Sequence, residues 1–263
     1  MRIVVCLKEV IDLAQVRFKT DGRTPVLDGL PVRLGAFEKN ALEEAIRIKE
    51  RLTEVEVIAL SAGSGRLKES IKEALAMGAD RAVLVLDPLL EIADSAGVAR
   101  TLAAALERIG SWDVCLLGEG SDDEYTGQTP SRVAALLGLP QITNVRELDI
   151  AGDGRVRGTR GLEAELEVVA CDSPVVVSVT SELNTPRLPP LTAILKAGRK
   201  PVEVWTLADL GLGPGTVGPR EAQVEVLSNL APAGSRKNQI LDGDLEAQIE
   251  ELLRSLEREG VIS

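Results

Sequence analysis

The sequence predicts an α/β fold: a doubly wound, mostly parallel sheet flanked by helices, with an antiparallel addition and an extended C-terminal arm. Three observations carry that reading. Apolar runs of strand length at residues 3–7, 55–60, 81–86 and 114–117 are continuous rather than alternating, as strands buried on both faces are. The stretches between them repeat apolar residues at helical spacing. Together the segments alternate β-α-β-α-β-α-β-α, the order of a parallel sheet covered by helices on both faces.

The first strand, residues 3–7, is ended by Lys8 and Glu9. Alternation in Val16-Arg17-Phe18-Lys19, followed by Asp21-Gly22 and Thr24-Pro25-Val26, predicts a small inserted hairpin. Residues 37–52 predict a helix with Leu42, Ala45, Ile46 and Lys49 on one face and Glu43, Glu44, Arg47 and Glu50 on the other. Strand 55–60 precedes the helical stripe Leu67, Ile71, Ala74 and Leu75, with Gly78 where a C-terminal cap belongs. After strand 81–86, the residues Val98, Leu102, Ala105 and Ile109 mark a third helix, capped by Gly110. The strand at 114–117 leads through a polar loop into a helix with Val133, Leu136 and Leu137 on one face and Pro130 in its first turn.

Beyond Pro140 the texture changes. Segments at 144–150, 155–159 and 166–170, split by Gly152-Asp153-Gly154 and by Gly161, predict an antiparallel ribbon. Valine-rich residues 174–180 give another buried strand. Pro186, Pro189 and Pro190 forbid an early helix in the next segment, residues 193–197 allow a short one, and 202–205 form a last strand. This predicts a domain over residues 1–211. The remainder, 212–263, reads as an arm: Gly213-Pro214-Gly215, then Ala231-Pro232-Ala233-Gly234, then an amphipathic helix at 243–259 with the stripe Leu245, Ile249, Leu252 and Leu256. A connection this long and loosely structured favours reaching a partner over folding back.

The loop joining the fourth strand to its helix is the most informative stretch. It holds Gly118, Gly120 and Gly127, the acids Glu119, Asp122, Asp123 and Glu124, and the hydroxyls of Ser121, Tyr125, Thr126 and Thr129. Strand, glycine-rich loop and helix are how an open α/β sheet turns backbone N–H groups toward a bound anion. An ordinary polar surface connection has the same texture. Ligands of such sheets sit beyond the carboxyl ends of the strands, where the loops after Leu7, after Leu60 and at Gly118 converge, and this favours a nucleotide. No Gly-x-x-x-x-Gly-Lys-Ser/Thr is present, which argues against a triphosphate-cleaving P-loop. The acids argue against a highly charged ligand and for a monophosphate, or the adenylate end of a larger cofactor. Asp122, Asp123 and Glu124 could accept from a ribose or face water, and the second is expected.

Composition excludes several classes. Of 263 residues 44% are hydrophobic but only 2% aromatic, so the core is aliphatic and a stacking platform for single-stranded nucleic acid is absent. A net charge of -11 repels phosphate backbones and anionic lipid. With no histidine, His-based triads, His general bases and His-ligated metals are impossible. Cys6, Cys115 and Cys171 sit in or beside apolar runs, far apart in sequence, and read as core residues rather than a disulfide or zinc set. No run approaches a membrane span, so no membrane insertion and a cytoplasmic location are expected.

Asn184, Pro186 and Arg187, then Ile194, Lys196 and Ala197, then the strand at 202–205 and Asp209-Leu210-Gly211 resemble the β subunit of electron transfer flavoprotein. Ala41-Leu42-Glu43-Glu44-Ala45, the run from Ala74 to Arg81, and Gln128 with Thr129 fit the same family, so the resemblance spans essentially the whole chain. It implies a heterodimer with an α subunit that carries the redox-active FAD, while this subunit binds AMP and has no catalytic residues. In an electron-bifurcating subset a second FAD takes the AMP position. It further implies electrons accepted from acyl-CoA or other flavin dehydrogenases and passed to a quinone oxidoreductase or another acceptor.

By resemblance the AMP site draws on Cys6, on Gly35, Ala36, Phe37 and Glu38, on Ala62, and on Gly118, Asp123, Thr126, Gly127, Gln128 and Thr129. Three of these loops are the ones that sheet topology brings together. Leu191 matches the anchor of the family's dehydrogenase-recognition loop, with Pro190, Arg187 and Lys196 beside it and Arg199 and Lys200 adding positive charge. The chain departs from the family pattern in three places. Gly35-Ala36 replaces Asn-Pro, Glu119-Gly120 replaces a basic residue and Gln, and Leu13 stands where some members have an aromatic. Two other readings remain open at this stage. A nucleotide hydrolase or synthetase of α/β type lacks its usual Ser-Gly-Gly-x-Asp-Ser loop here, where Cys6-Leu7-Lys8-Glu9 stands. A stand-alone AMP sensor resembling universal stress proteins does not need the long arm.

Overall fold

Each continuous apolar run forms a strand. The computed structural model describes residues 1–262 except 152–153, 219–221, 223, 225 and 233–236. Gly152 and Asp153 of the expected turn, and Ala233 and Gly234 of the arm, therefore lie outside the described residues. β1 (Arg2–Cys6) leads into β2 (Glu9–Ile11), β3 (Arg17–Phe18), β4 (Pro25–Val26) and β5 (Val32–Leu34). β3 and β4 pair as the expected hairpin, with Gly22 in the left-handed region at φ +66°, while β2 pairs antiparallel with β5. Then follow α1 (Ala36–Arg51), β6 (Glu56–Gly63), α2 (Leu67–Met77), β7 (Arg81–Leu86), α3 (Ser95–Ile109), β8 (Val114–Gly118) and α4 (Thr129–Leu137). Gly78 ends α2 at φ +146° and Gly110 ends α3 at φ +87°, conformations that a side chain would strain.

The second half supplies β9 (Gln141–Ile150), β10 (Arg155–Gly161), β11 (Leu166–Asp172), β12 (Val175–Val179), α5 (Leu191–Ala197), β13 (Val202–Trp205) and α6 (Pro214–Val217). The main sheet has nine strands in the order β11-β10-β9-β12-β8-β1-β6-β7-β13. Pairing from β9 to β13 is parallel throughout, and β10 runs antiparallel to both its neighbours as the added ribbon. Alternate residues of the central strands face two separate cores. Ile3, Val5, Val57 and Leu116 pack with Leu42, Ala45 and Ile46 of α1 and Ile71 and Leu75 of α2. Val4, Cys6, Ile58, Leu60 and Leu117 pack with Leu102 and Leu106 of α3 and Val133 of α4. Each fully buried aliphatic side chain contributes about 1.5–3 kcal/mol, which is how a core with few aromatics holds this sheet. The fold is a doubly wound α/β sheet.

Several expectations need correction. Glu43 and Glu44 are not on a solvent face but buried, because the segment after β12 lies across that side of α1. β6 runs on through Ala62 and Gly63, which pair with Val85 and Leu86, so these residues are strand rather than loop. Leu136 is exposed, and Val133 with Ala134 makes the buried face of α4. Helix α5 begins at Leu191, directly after Pro190. Lys200 turns inward and donates to the carbonyls of Leu75 (2.8 Å) and Ala79 (2.6 Å), meeting acceptors left open at the end of α2.

Two compact units emerge. The first comprises Met1–Arg17 and Val26–Ser228 and contains the whole nine-stranded sheet. Val217 of α6 is buried in the α3 core, so the first part of the predicted arm belongs to this unit. The second comprises Phe18–Pro25 and Asn229–Ser263, where Ala231 N donates to the Arg23 carbonyl at 2.8 Å. It carries α7 (Leu245–Arg258), whose N-cap Asp244 accepts from Ala247 N.

Candidate functional site at the β1/β8 crevice

β1 and β8 are hydrogen-bonded neighbours, yet the chain leaves them toward opposite faces, to α1 from one and to α4 from the other. A crevice therefore opens beyond their carboxyl ends. It contains a cavity of about 480 Å³. Cys6, Leu7 and Lys8 line it from the end of β1, Ala62, Gly63 and Ser64 from β6 and its loop, and Glu38 from the first turn of α1. The central loop supplies Gly118, Glu119, Ser121, Asp123, Thr126, Gly127, Gln128 and Thr129. Leu90, Ala93, Val98 and Leu102 add an apolar shelf on the other side.

Of the site residues named from sequence, Gly35, Ala36 and Phe37 do not line the cavity. They stand behind it and shape its wall. A side chain on Gly118 would put its Cβ 2.6 Å from Phe37 Cβ, so that glycine permits the close approach of α1 to β8. The Phe37 ring meets Tyr125 at 5.7 Å between centroids. Tyr125 in turn lies over Gly120, where a Cβ would come within 2.6 Å of its ring, and its hydroxyl donates to Glu119 at 2.8 Å. The Glu119-Gly120 pair thus builds a tyrosine shelf, a physical reason for one departure noted above.

The loop acids are fastened rather than solvated, contrary to expectation for Asp122 and Asp123. Asp122 Oδ2 accepts from Ala36 N at 3.0 Å, capping the N-terminus of α1 from a distant loop, and pairs with Arg33 at 3.3 Å. Asp123 Oδ1 accepts from Lys8 Nζ (2.7 Å), Ser121 Oγ (2.6 Å) and Glu124 N (2.8 Å). Burial opposes the charge on Lys8, but the hydrogen bond and charge of Asp123, with Glu124, outweigh it and hold the ammonium above its ordinary value. Burial likewise opposes charge on Asp123, and Lys8 and Ser121 hold it below the usual carboxylate range. Lys8, Ser64 and Arg66 line the cavity and were not singled out from sequence as site residues, whereas Ser121, named there for its hydroxyl, also lines it. The available signal for Lys8 was its position, a cation at the carboxyl end of a central strand.

A second feature lies along α1. Arg187 donates to Glu43 from Nε (2.8 Å), Nη2 (3.1 Å) and backbone N (3.1 Å), and its guanidinium also reaches Glu50. Asn184 Nδ2 donates to Glu44 Oε2 at 3.0 Å, and Asn40 Nδ2 to the Asn184 carbonyl at 2.6 Å. Beyond these clamps the chain lifts away: Leu188 is 92% exposed, Leu191 70% and Leu195 72%. Arg187 and Lys200 are thus committed to internal partners. Lys196 and Arg199 remain as the exposed cations of this segment, and Pro190 is the N-cap residue of α5.

The family model for the electron transfer flavoprotein domain matches residues 28–210, which include the α1 clamps and the central loop but not the cavity residues at the end of β1. The chain belongs to the electron transfer flavoprotein family. It is 33% identical over 263 residues, the full length of both chains, to the electron transfer flavoprotein subunit β of Thermoanaerobacterium thermosaccharolyticum. It is 31% identical over 262 residues, again the full length of both, to the subunit β of Clostridium acetobutylicum. A caffeyl-CoA reductase-Etf complex subunit, CarD, of Acetobacterium woodii is 32% identical over 243 residues, 92% of each chain. Electron transfer flavoproteins are electron carriers rather than enzymes. Among the described residues no helix is long and apolar enough to cross a membrane, and no acidic or cysteine cluster is placed to hold a metal.

In this electron transfer flavoprotein chain Glu38 is the electrostatic outlier of the cavity. Burial, more than the nearby Asp122 and Asp123, raises its carboxyl to about 8, although its own backbone N–H and Lys8 favour the charged form. An acid raised on folding contributes stability that is complete below its unfolded value near 4.5 and lost as pH climbs to about 8. Glu38→Gln removes that linkage. Urea unfolding at pH 5, 7 and 9 is expected to show the wild type losing stability on the order of a few kcal/mol across this range, and the variant losing less. Equal slopes for the two proteins would show that Glu38 is ionised throughout.

Proposed function

We propose that this chain is the β subunit of a heterodimeric electron transfer flavoprotein and holds AMP in the crevice between β1 and β8. The observation that carries the nucleotide reading is the open N-terminus of α4 facing the cavity. The backbone N–H groups of Thr126, Gly127, Gln128 and Thr129 donate to no acceptor among the described residues, and the hydroxyls of Thr126 and Thr129 stand with them. Gly127 is left-handed at φ +64°, which turns the loop into the helix. Such a terminus suits a monophosphate, and the ammonium of Lys8 and guanidinium of Arg66 offset part of the loop's negative charge. Cys6, Ala62 and the shelf of Leu90, Val98 and Leu102 give the apolar surface that a base needs. A cavity of about 480 Å³ sits in the lower part of the range of small-molecule sites, about 300–1,000 Å³, and favours a mononucleotide over a second FAD.

The redox chemistry belongs to an FAD held with an α subunit, which supplies reversible electron uptake and release. This chain's own residues supply binding and docking. Leu245, Ile249 and Leu252 of α7 are exposed along one stripe, and within the expected arm, residues 212–263, we assign this helix to a grip on the α subunit. Leu191, projecting from a segment clamped by Arg187 and stiffened by Pro189 and Pro190, is assigned as the anchor for an acyl-CoA or other flavin dehydrogenase. The relation to a caffeyl-CoA reductase complex subunit supports a partner of that class. Electrons then pass to a quinone oxidoreductase or another acceptor.

Thr129→Val removes a hydroxyl donor from a charged acceptor and is expected to weaken AMP retention by roughly 1.5–3 kcal/mol, read as nucleotide remaining after dialysis. Unchanged retention would move the phosphate elsewhere. Leu191→Ala is expected to weaken dehydrogenase binding roughly thirtyfold, about 2 kcal/mol, while flavin content and Tm stay the same. A drop in Tm with unaltered binding would make Leu191 a packing residue.

A further inference from the structure

The exposed segment after β12 is fixed at both ends, and differently at each. At its far end Ala197 of α5 is buried in the core that holds α2, and Lys200 donates to the carbonyls that close α2. At its near end Arg187 straddles two acids of α1. Four guanidinium hydrogen bonds go to Glu43 and Glu50, and the backbone N–H of Arg187 donates to Glu43 as well. The Glu43 side chain is only 4% exposed. Burying a carboxylate there costs desolvation, and a planar fork is the cation that answers it best. Because Glu43 takes both the guanidinium and the backbone N–H of one residue, it sets that residue's position and orientation together. The chain then leaves the clamp, and Leu188, Leu191 and Leu195 are exposed before it is caught again at Ala197.

We propose that Glu43 and Arg187 are positioning residues for docking: they touch no partner, and they hold the start of the segment so that Leu188 and Leu191 stand in one arrangement before a dehydrogenase arrives. The inference rests on the reading of this segment as the dehydrogenase docking site and adds the residues that preorganise it. A segment released at Arg187 pivots about its anchored α5 end and spreads over several arrangements. Apparent affinity then falls by the fraction that remains competent to bind. Such a loss is read in the association rate, whereas a lost contact is read mainly in dissociation. Arg187 is thereby withheld from the partner, and steering by charge is left to Lys196 and Arg199.

Surface plasmon resonance of the complete heterodimer on an immobilised acyl-CoA dehydrogenase tests this with two variants. Arg187→Lys keeps the positive charge and loses the fork, while Glu43→Gln removes a negative charge. Were Arg187 a contact or steering charge, the first would bind like the wild type and the second at least as well. Preorganisation predicts the opposite: kon about tenfold lower for both at low and high salt, with koff within about twofold of the wild type. Glu50→Gln, at an exposed site whose substitution leaves folding intact, is expected to lower kon about threefold. Hydrogen exchange reads the clamp without a partner, and residues 188–195 of both variants should exchange faster while β12 does not. Arg187→Lys binding like the wild type, losses confined to koff, a lower Tm with unaltered kon, or unchanged exchange at 188–195 would overturn the clamp while Leu191 stands as the anchor. A wild type that does not bind the dehydrogenase, or that binds no better than Leu191→Ala, would instead remove the docking reading, and the positioning role with it.

Discussion

The pairing of β1 with β8 is the constraint on which the rest of the molecule depends. Parallel strands need long crossovers, and here the crossovers from these two neighbours go to opposite faces of the sheet. Their carboxyl ends therefore have no chain passing between them, and the space must be walled by loops. Hydrogen bonds across the strand ends fix those loops. Leu7 N donates to the Leu60 carbonyl at 2.8 Å, Ser61 Oγ donates to the Leu7 carbonyl at 2.6 Å, and Glu119 N donates to the Val179 carbonyl at 3.0 Å. Lys8 then ties the end of β1 to the loop after β8 through Asp123. The cavity follows from the winding, and its chemistry follows from which side chains these short connections carry.

Helix α1 connects the cavity to the exposed segment that follows β12. Its first turn receives the Asp122 cap and carries Glu38, while Asn40, Glu43, Glu44 and Glu50 hold Asn184 and Arg187. Burial raises the cost of a charge on Glu43, and the bonds from Arg187 and Arg47 overcome it and keep the carboxyl below its usual range. Such a clamp is rigid at one end and free at the other, since Leu188 and Leu191 project beyond it. One helix thus borders two features of different character, the lined crevice and an exposed apolar segment.

The strands were legible because aliphatic runs buried on both faces leave a continuous signature, and α2 and α3 because glycine caps mark their ends. What the sequence concealed was partnership across distance. Glu43 and Glu44 have the spacing of a solvated helix face, and nothing local announces that Arg187 and Asn184 will cover them. Ser61-Ala62-Gly63 has the composition of a loop, yet pairing with Leu84, Val85 and Leu86 keeps it in the sheet. Asp122 reads as one surface acid among several until α1 is seen to end against it. Resemblance named loops that line the crevice, but the seating of Glu38 over Gly35 depends on a close approach that no spacing rule encodes.

The central claim is that the β1/β8 crevice holds an adenine mononucleotide while the redox flavin resides with another subunit. Its most direct test is the cofactor content of the complex purified after co-expression with the α subunit, released by denaturation and separated by chromatography. The account predicts one AMP and one FAD per heterodimer. Two FAD with no AMP, or one FAD with no second nucleotide, would contradict it.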